Sequence, residues 1–428
     1  MIRKMEFNGK NREKVMRVIS QADKPDLTVS GSIIKITEDV RKNGDRALRK
    51  YTNKFDGVDV EELRVPRETI RKAYSKIDKN VIPSIKKAAK NIRDFHKQQK
   101  DNIRGYVYKN TGYTIEQKYI PVESAGLYIP GGQAPLFSTV LMAGIPAVIA
   151  GVKRICIVSP PRCEGDVNPY VLAAADIIGI KEIYRAGGAQ AIAALAYGTR
   201  SIPKVDKAAG PGNIYSTMAK KHLLGEFGID AINGPSEVTI VADDSAVKEY
   251  VLYDLLAQAE HINGHSVLIT DSADLIDYIG REIKHRTKGV FVNVILIKVK
   301  RISDAVEIVN FKGPEHLSVF VKNDRKFIRE IVNAPAVFAG NLSAVAFGDY
   351  IAGANHILPT NGTSRFFSAL SVFDFMKHTH IVRCSKKSLE IYGKDAEKMA
   401  LTETLENHMM SIKIRRINGK TEKRNRKA

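Results

Sequence analysis

From Tyr119 onward the chain alternates short β-branched runs with longer Ala- and Gly-rich runs of helical spacing, and few architectures accept that rhythm. The runs include "RICIVSPP" (Arg154 to Pro161), "KEIYRAGGAQAIAALAYG" (Lys181 to Gly198), "SEVTIVADD" (Ser236 to Asp244) and "HSVLITDS" (His265 to Ser272), followed by "GVFVNVILIKV" and "LSVFVKN". Strands apolar on both faces and separated by helix-length segments read as parallel sheets with crossover helices. The predicted class is therefore α/β, with no internal repeat of fixed period.

The flanks have another texture. An N-terminal piece near 1 to 23 reads as helical and stops before "KPDLT", and a lysine-rich helical region then runs to about Arg104. Beyond Ser371 the chain is expected to be helical and polar, an appendage that packs on something else. The length of 428 residues with 44% hydrophobic content allows large buried cores. The opening "MIRKMEFNGKNREK" has no apolar signal core. The longest apolar run, Thr139 to Val152, is short and broken by Gly144, Pro146 and Gly151, so the expectation is a soluble, non-secreted, cytoplasmic protein. Three cysteines, Cys156, Cys163 and Cys384, argue against a disulfide framework. The net charge of +20 is spread over helix-like segments such as Ser84 to Arg104 and the terminal "RRINGKTEKRNRKA". No nucleic-acid-binding motif accompanies it, so solvated faces with general anion attraction are expected rather than a specific nucleic-acid partner.

Several stretches carry residues suited to chemistry. "GLYIPGGQAPLFS" (Gly126 to Ser138), "AGGAQAIAALAYG" and "AAGPGNIY" (Ala208 to Tyr215) put small residues where backbone N–H groups can meet a ligand. None spells G-x-G-x-x-G, and each taken singly is equally a plain turn. In "DLLAQAEHING" (Asp254 to Gly264), a helix expected to end near Ile262 would project Gln258 and His261 from one face. "FKGPEHLSVF" offers Glu315 and His316 after a Gly-Pro turn, either as a proton-transfer pair or as a helix-start carboxylate beside a surface imidazole. A loop dense in Gly, Asn and Pro holds Asp349 and His356. In "LTETLENHMMSIKIR", Glu403 and His408 are five apart on a predicted helix, offset by roughly 140°.

Taken together, "LYIPGGxAPLFSTVLM", "GGAQAIAALAYGT", "VDKxxGPGN", "GPSEV", "DLLAQAEH", "PEHL", "GDYxxGxNHxLPT", "SV-x-DF" and a C-terminal Glu-x4-His resemble histidinol dehydrogenases from about Tyr119 to His408, with a weaker match before. The resemblance implies a zinc- and NAD-dependent enzyme that oxidises L-histidinol through L-histidinal to L-histidine, the last steps of histidine biosynthesis. It implies a zinc ion in each subunit held by Gln258, His261 and Asp349, with His408 of the partner subunit completing the set. It makes His316 the general base and Glu315 the group that activates water. Ser236, His356 and Glu403 become substrate contacts beside the zinc ligands and His316, and Tyr128, Gln190 and Asn213 become cofactor contacts. The implied architecture has two incomplete Rossmann-like domains, one inserted in the other: 24–127 with 241–370 for substrate and zinc, and 128–240 for NAD. A helical segment, 1–23, precedes them, and a dimerisation arm with a basic tail, 371–428, follows, giving a homodimer with a shared active site.

The chain departs from the family pattern at Gly313 and Asn233, where Ala is usual, at Ala344, where Pro is usual, and in "TLENH" and the longer "PPRCEGDVNPY". No matched ligand or base is lost. A related zinc dehydrogenase of another amino alcohol or diol is the first rival reading, disfavoured by Glu403, His356 and His408. A basic non-catalytic binding protein is the second, disfavoured by the intact set Gln258, His261, Glu315, His316 and Asp349.

Overall fold

The computed structural model describes residues 2–21, 29–131, 136–162, 165–261, 264–287 and 292–425, with side chains through 417. Two compact units emerge, Met1–Lys100 with Val122–Phe375, and Asp101–Pro121 with Met376–Ala428. The first carries two wholly parallel sheets, as the alternating rhythm requires.

The five-stranded sheet is ordered Glu182–Arg185, Arg154–Ser159, Ser124–Tyr128, Lys207–Ala209, Gly228–Ile229. Ranked by chain position this is 3-2-1-4-5, a doubly wound order one strand short of a full Rossmann sheet. Its core joins the helix Gly188–Tyr197 to the helices Ser30–Asn43 and Asp45–Asp56 through Ile33, Ile36, Leu48, Tyr51, Ile192 and Leu195. Residues 30–56, expected to belong with the other sheet, thus pack on this one.

The six-stranded sheet is ordered Ile2–Glu6, Asn293–Lys298, His265–Thr270, Glu237–Ala242, His316–Phe320, Ala336–Ala339. Leaving out the first strand, it repeats the same 3-2-1-4-5 order. Val241, Ile269, Ile297 and Val319 face one way, onto Val15, Ile19 and Ile308. Val238, Ile240, Leu268 and Leu296 face the other, onto Val251, Leu252, Leu255 and Ile279. Each such side chain contributes about 1.5–3 kcal/mol on burial, which explains why both faces of these strands are apolar.

Two flank expectations need correction. Among the described residues the N-terminal piece is helical over Arg12–Gln21, and Ile2–Glu6 is an edge strand, because parallel pairing with Asn293–Lys298 satisfies its backbone. The stretch beyond Ser371 opens with a 3-10 turn, Val372–Phe375, and continues as a strand, Met376–Cys384, antiparallel to Tyr113–Pro121, with Tyr106–Asn110 completing the sheet. This antiparallel sheet belongs to the second unit, together with the helices Lys386–Thr402 and Glu406–Asn425, joined by a two-point Arg416–Glu397 ion pair at 2.6 and 2.9 Å.

Cys156 and Cys384 are free thiols, and Cys163 lies outside the described residues. No helix among the described residues is long and apolar enough to cross a membrane.

Candidate active site

The two sheets bring candidate residues to opposite edges. Glu237, His265 and His316 are each the first residue of a strand in the six-stranded sheet, so they line its amino-terminal edge. Tyr128 ends a strand of the five-stranded sheet and Asn213 follows another, so they lie at its carboxyl edge, where the strand order reverses.

Glu237 organises the first group. Its backbone N–H donates to Glu315 Oε2 at 2.8 Å, and its carbonyl lies 3.1 Å from His316 Nδ1. Its Oε1 accepts from the N–H groups of Glu315 and Asn361, both at 3.2 Å, and its Oε2 is paired with the ammonium of Lys312. Lys312 and Glu237 are both buried, and a buried ion pair is tolerable only with further hydrogen bonds, which the N–H groups of Glu315 and Asn361 supply to Glu237. Three positions in the sequence thereby become legible. Gly313 has φ +61°, and a Cβ there would stand 2.7 Å from Ser364 Oγ, so the usual alanine would be strained. Glu315 and His316 are a turn and a strand start, not a helix start, because His316 pairs with Val238 and Ala336.

His316 is 4% exposed. Since Nδ1 faces a carbonyl it carries the proton in the neutral ring, leaving the Nε2 lone pair without a hydrogen-bond partner. Asp349 Oδ1 stands 3.5 Å from that nitrogen and Glu315 Oε2 3.4 Å from the other. Burial alone would lower the imidazole pKa; the carboxylates of Glu315 and Asp349 outweigh it and raise the value well above 6.5. Burial raises the Glu315 carboxyl, partly offset by the neighbouring imidazole.

Asp349 sits on a π-helical turn, Gly348–Ala352, a rare backbone form that recurs at functional sites. His356 lies beside it, Nδ1 donating to the Asp349 carbonyl at 2.9 Å, with Nε2 3.5 Å from Thr139 Oγ1; burial lowers its pKa. Ser236 is half-buried, one residue before Glu237, and its carbonyl accepts from His265 N–H.

Gln258 and His261 differ in burial, though the His261 N–H donates to the Gln258 carbonyl at 3.3 Å. The helix Lys248–Ala259 ends before His261, so Gln258 is 3% exposed while His261 is exposed. The expected helix end near Ile262 lies outside the described residues. Gln258 Oε1 is buried without a donor, and one turn earlier so is Asp254 Oδ2, whose carboxyl is pushed up to about 6 by burial, with Asp349 adding to the rise. An orphaned amide oxygen and a nearby carboxylate suit a divalent cation in kind. Among the described residues, however, no group of three or more His, Cys, Asp or Glu is gathered closely enough to hold a metal ion. Glu403 and His408 belong to the second unit and are exposed. They do not share a helix: Glu403 caps Lys386–Thr402, Thr404 turns with φ +61°, and His408 lies in Glu406–Asn425.

The cofactor candidates do converge. Tyr128, Gln190 and Asn213 line one cavity of about 660 Å³, with Pro130, Gly131 and Gly188. Gly188 N–H donates to Tyr128 Oη at 3.1 Å, Gln190 Oε1 is buried without a partner, and Asn213 Oδ1 caps the helix Ile214–His222 by accepting from Tyr215 and Ser216 N–H. Part of the first glycine loop, residues 132–135, lies outside the described residues. The buried Lys220 of the helix that Asn213 caps reaches Asp230 at 2.6 Å and Asn233 Oδ1 and the Gly210 carbonyl at 2.9 Å, while Asn233 Nδ2 donates to the Leu358 carbonyl at 2.9 Å. Asn233 therefore makes bonds that an alanine could not.

The sequence reading passed over Glu237, Lys312 and His265. A charge at the head of the strand run "EVTIVA" was the available signal for the first.

Residues 20–416 match the family model described as histidinol dehydrogenase. A histidinol dehydrogenase of Methanococcus maripaludis is 43% identical over 421 residues, 96% of this chain and 99% of that protein. One of Bacillus subtilis is 40% identical over 420 residues, 96% and 97% of the two chains. The crystal structure of histidinol dehydrogenase from Elizabethkingia anophelis superposes with a TM-score of 0.88 at 34% identity, covering 96% of this chain and 97% of that one.

Proposed function

Because the chain belongs to the histidinol dehydrogenase family, we propose that it oxidises L-histidinol to L-histidine in two hydride transfers to NAD, with L-histidinal held between them. The observation that carries this reading is the His316 ring, anchored through Nδ1 on the Glu237 carbonyl with an unpartnered Nε2 beside Asp349.

In the first step His316, in the neutral form that its raised pKa confines to the higher end of the pH range, takes through Nε2 the hydroxyl proton of the alcohol as hydride leaves its carbon for NAD. The carboxylates of Glu315 and Asp349 stabilise the imidazolium that forms. In the second, Glu315, whose basicity burial increases, takes a proton from water as its oxygen adds to the aldehyde carbon. The hydrate then yields hydride to a second NAD and leaves as carboxylate. Ser236 and His356 orient the substrate, and Glu403 of the partner subunit meets its cationic end.

Zinc fits the orphaned Gln258 oxygen and the Asp349 carboxylate; His261 and His408 of the partner subunit would complete its ligands. When bound it supplies a Lewis-acidic anchor for the substrate's nitrogen atoms. A shared site requires a homodimer, and the second unit offers a surface for one. Met399, Leu401, Leu405 and Ile414 are large apolar side chains, each more than two-fifths exposed. Tyr128, Gln190 and Asn213 hold the dinucleotide.

Zinc-loaded protein supplied with L-histidinol and NAD should form two NADH per substrate consumed. His316→Asn should lower kcat by about 10²–10⁴ while leaving the fold intact. Absence of NAD reduction by the loaded protein, or faster turnover of other amino alcohols, would overturn the assignment.

A further inference from the structure

Asp56 ends the helix Asp45–Asp56, where the backbone dipole disfavours a carboxylate, and its side chain is 7% exposed. Its Oδ2 has no hydrogen-bond donor among the described residues. The nearest cation, Arg162, stands 4.0 Å from Oδ1, too far for a hydrogen bond. Burial pushes the carboxyl up to about 6, Arg162 opposing. Such a group destabilises the empty protein, because an unmet buried acceptor loses its water and gains nothing in return.

The carboxylate lines the same cavity as Tyr128, Gln190 and Asn213. The wall it occupies also carries Lys35, Lys54 and Arg162. Hydroxyl donors for the carboxylate and phosphate for the cations are both found on a nucleotide, whose ribose carries a vicinal diol next to its phosphate. The contacts of His316 come from Glu237, Glu315 and Asp349 and not from the helices Ser30–Asn43 and Asp45–Asp56, which on the reading of this cavity as the NAD site assigns their wall to the half of the dinucleotide remote from hydride transfer, the adenosine half.

Resting on the reading of this cavity as the NAD site, we propose that Asp56 accepts the adenosine ribose hydroxyls and thereby sets the preference for NAD over its 2′-phosphorylated form. A 2′-phosphate would remove one donor and place a dianion against a buried carboxylate, an attraction lost and a repulsion gained together. Lys35, Lys54 and Arg162 then serve the pyrophosphate.

Calorimetric titration of the purified protein tests this without relying on turnover. The unaltered protein should bind AMP about tenfold or more tightly than 2′-deoxy-AMP, and NAD more tightly than NADP by at least as much. Asp56→Asn, with its melting temperature checked against the parent, should weaken NAD about tenfold and NADP little, so the preference falls by about that factor. Equal binding of AMP and 2′-deoxy-AMP, an unchanged NAD/NADP ratio in Asp56→Asn, or tighter binding of NADP by the parent would overturn the proposal while leaving the NAD site standing. Failure of the parent to bind NAD at all would overturn both.

Discussion

His265 shows how a single side chain can work against the protein that holds it. Both of its ring nitrogens are buried without partners, and it opens the strand beside Glu237. Burial, helped by the Lys312 charge, lowers its pKa to about 4. In the unfolded chain the ring takes up a proton near pH 6.5, whereas the folded protein resists it until about pH 4. The unfolded state therefore binds more protons between those values, and stability falls as pH drops through the window. His265→Leu, which asks for no proton and no partner, should remove the ring's part of that loss. In urea titrations at pH 7 and pH 5, the parent should lose about 2 kcal/mol more between the two than the variant does. Equal losses would show that the ring is hydrated or paired. At this scale the sequence was partly legible. Glu315 and His316 stand out because an acid and an imidazole follow a Gly-Pro turn, and they do end up side by side. His265 does not stand out, since nothing in "HSVLITDS" shows that its histidine is inside.

At the scale of elements, the alternation of apolar runs disclosed both parallel sheets, because strands covered on two faces must be apolar throughout. Pairing in the flanks was hidden: "IRKME" is polar enough to pass for the start of a helix, and only the exposed edge beside Asn293–Lys298 makes it a strand. The helix Lys248–Ala259 stops short of His261, whose N–H still donates to the Gln258 carbonyl at 3.3 Å, whereas the break at Thr404 puts Glu403 and His408 on different helices. The glycine loops gain a firm structural meaning. Gly210 has φ +119°, and a Cβ on it would collide with the Tyr128 carbonyl oxygen, so two strands of the five-stranded sheet approach each other there without room for a side chain. Gly210→Ala should destabilise the protein by roughly 1–3 kcal/mol and raise the KM for NAD by pushing Tyr128 aside. Thermal melting and initial rates check the two effects separately, and an unchanged KM would dissociate this glycine from the cavity.

At the scale of the whole molecule, the proposed sharing of the site between subunits makes a quantitative demand. A His316→Ala protein and a His408→Ala protein should each be inactive. Unfolded together and refolded as a mixture, half of the dimers are hybrids, each with one site whose residues are all intact, and about a quarter of the parent activity should return. No recovery would mean that His408 acts within its own chain, and an active His408→Ala protein would mean that it takes no part. Such sharing has no periodic signature, and only the resemblance to a family suggested it.

The six-stranded sheet contributes its amino-terminal edge and the five-stranded sheet its carboxyl edge, and Asp230 and Asn233 on the connection between them are clamped by Lys220. On the proposed chemistry, the spent electron carrier can depart and a fresh one arrive through one layer while the half-oxidised molecule stays gripped by the other. Successive withdrawals of electron pairs then need only a change of carrier, and the reactive aldehyde never has to be let go.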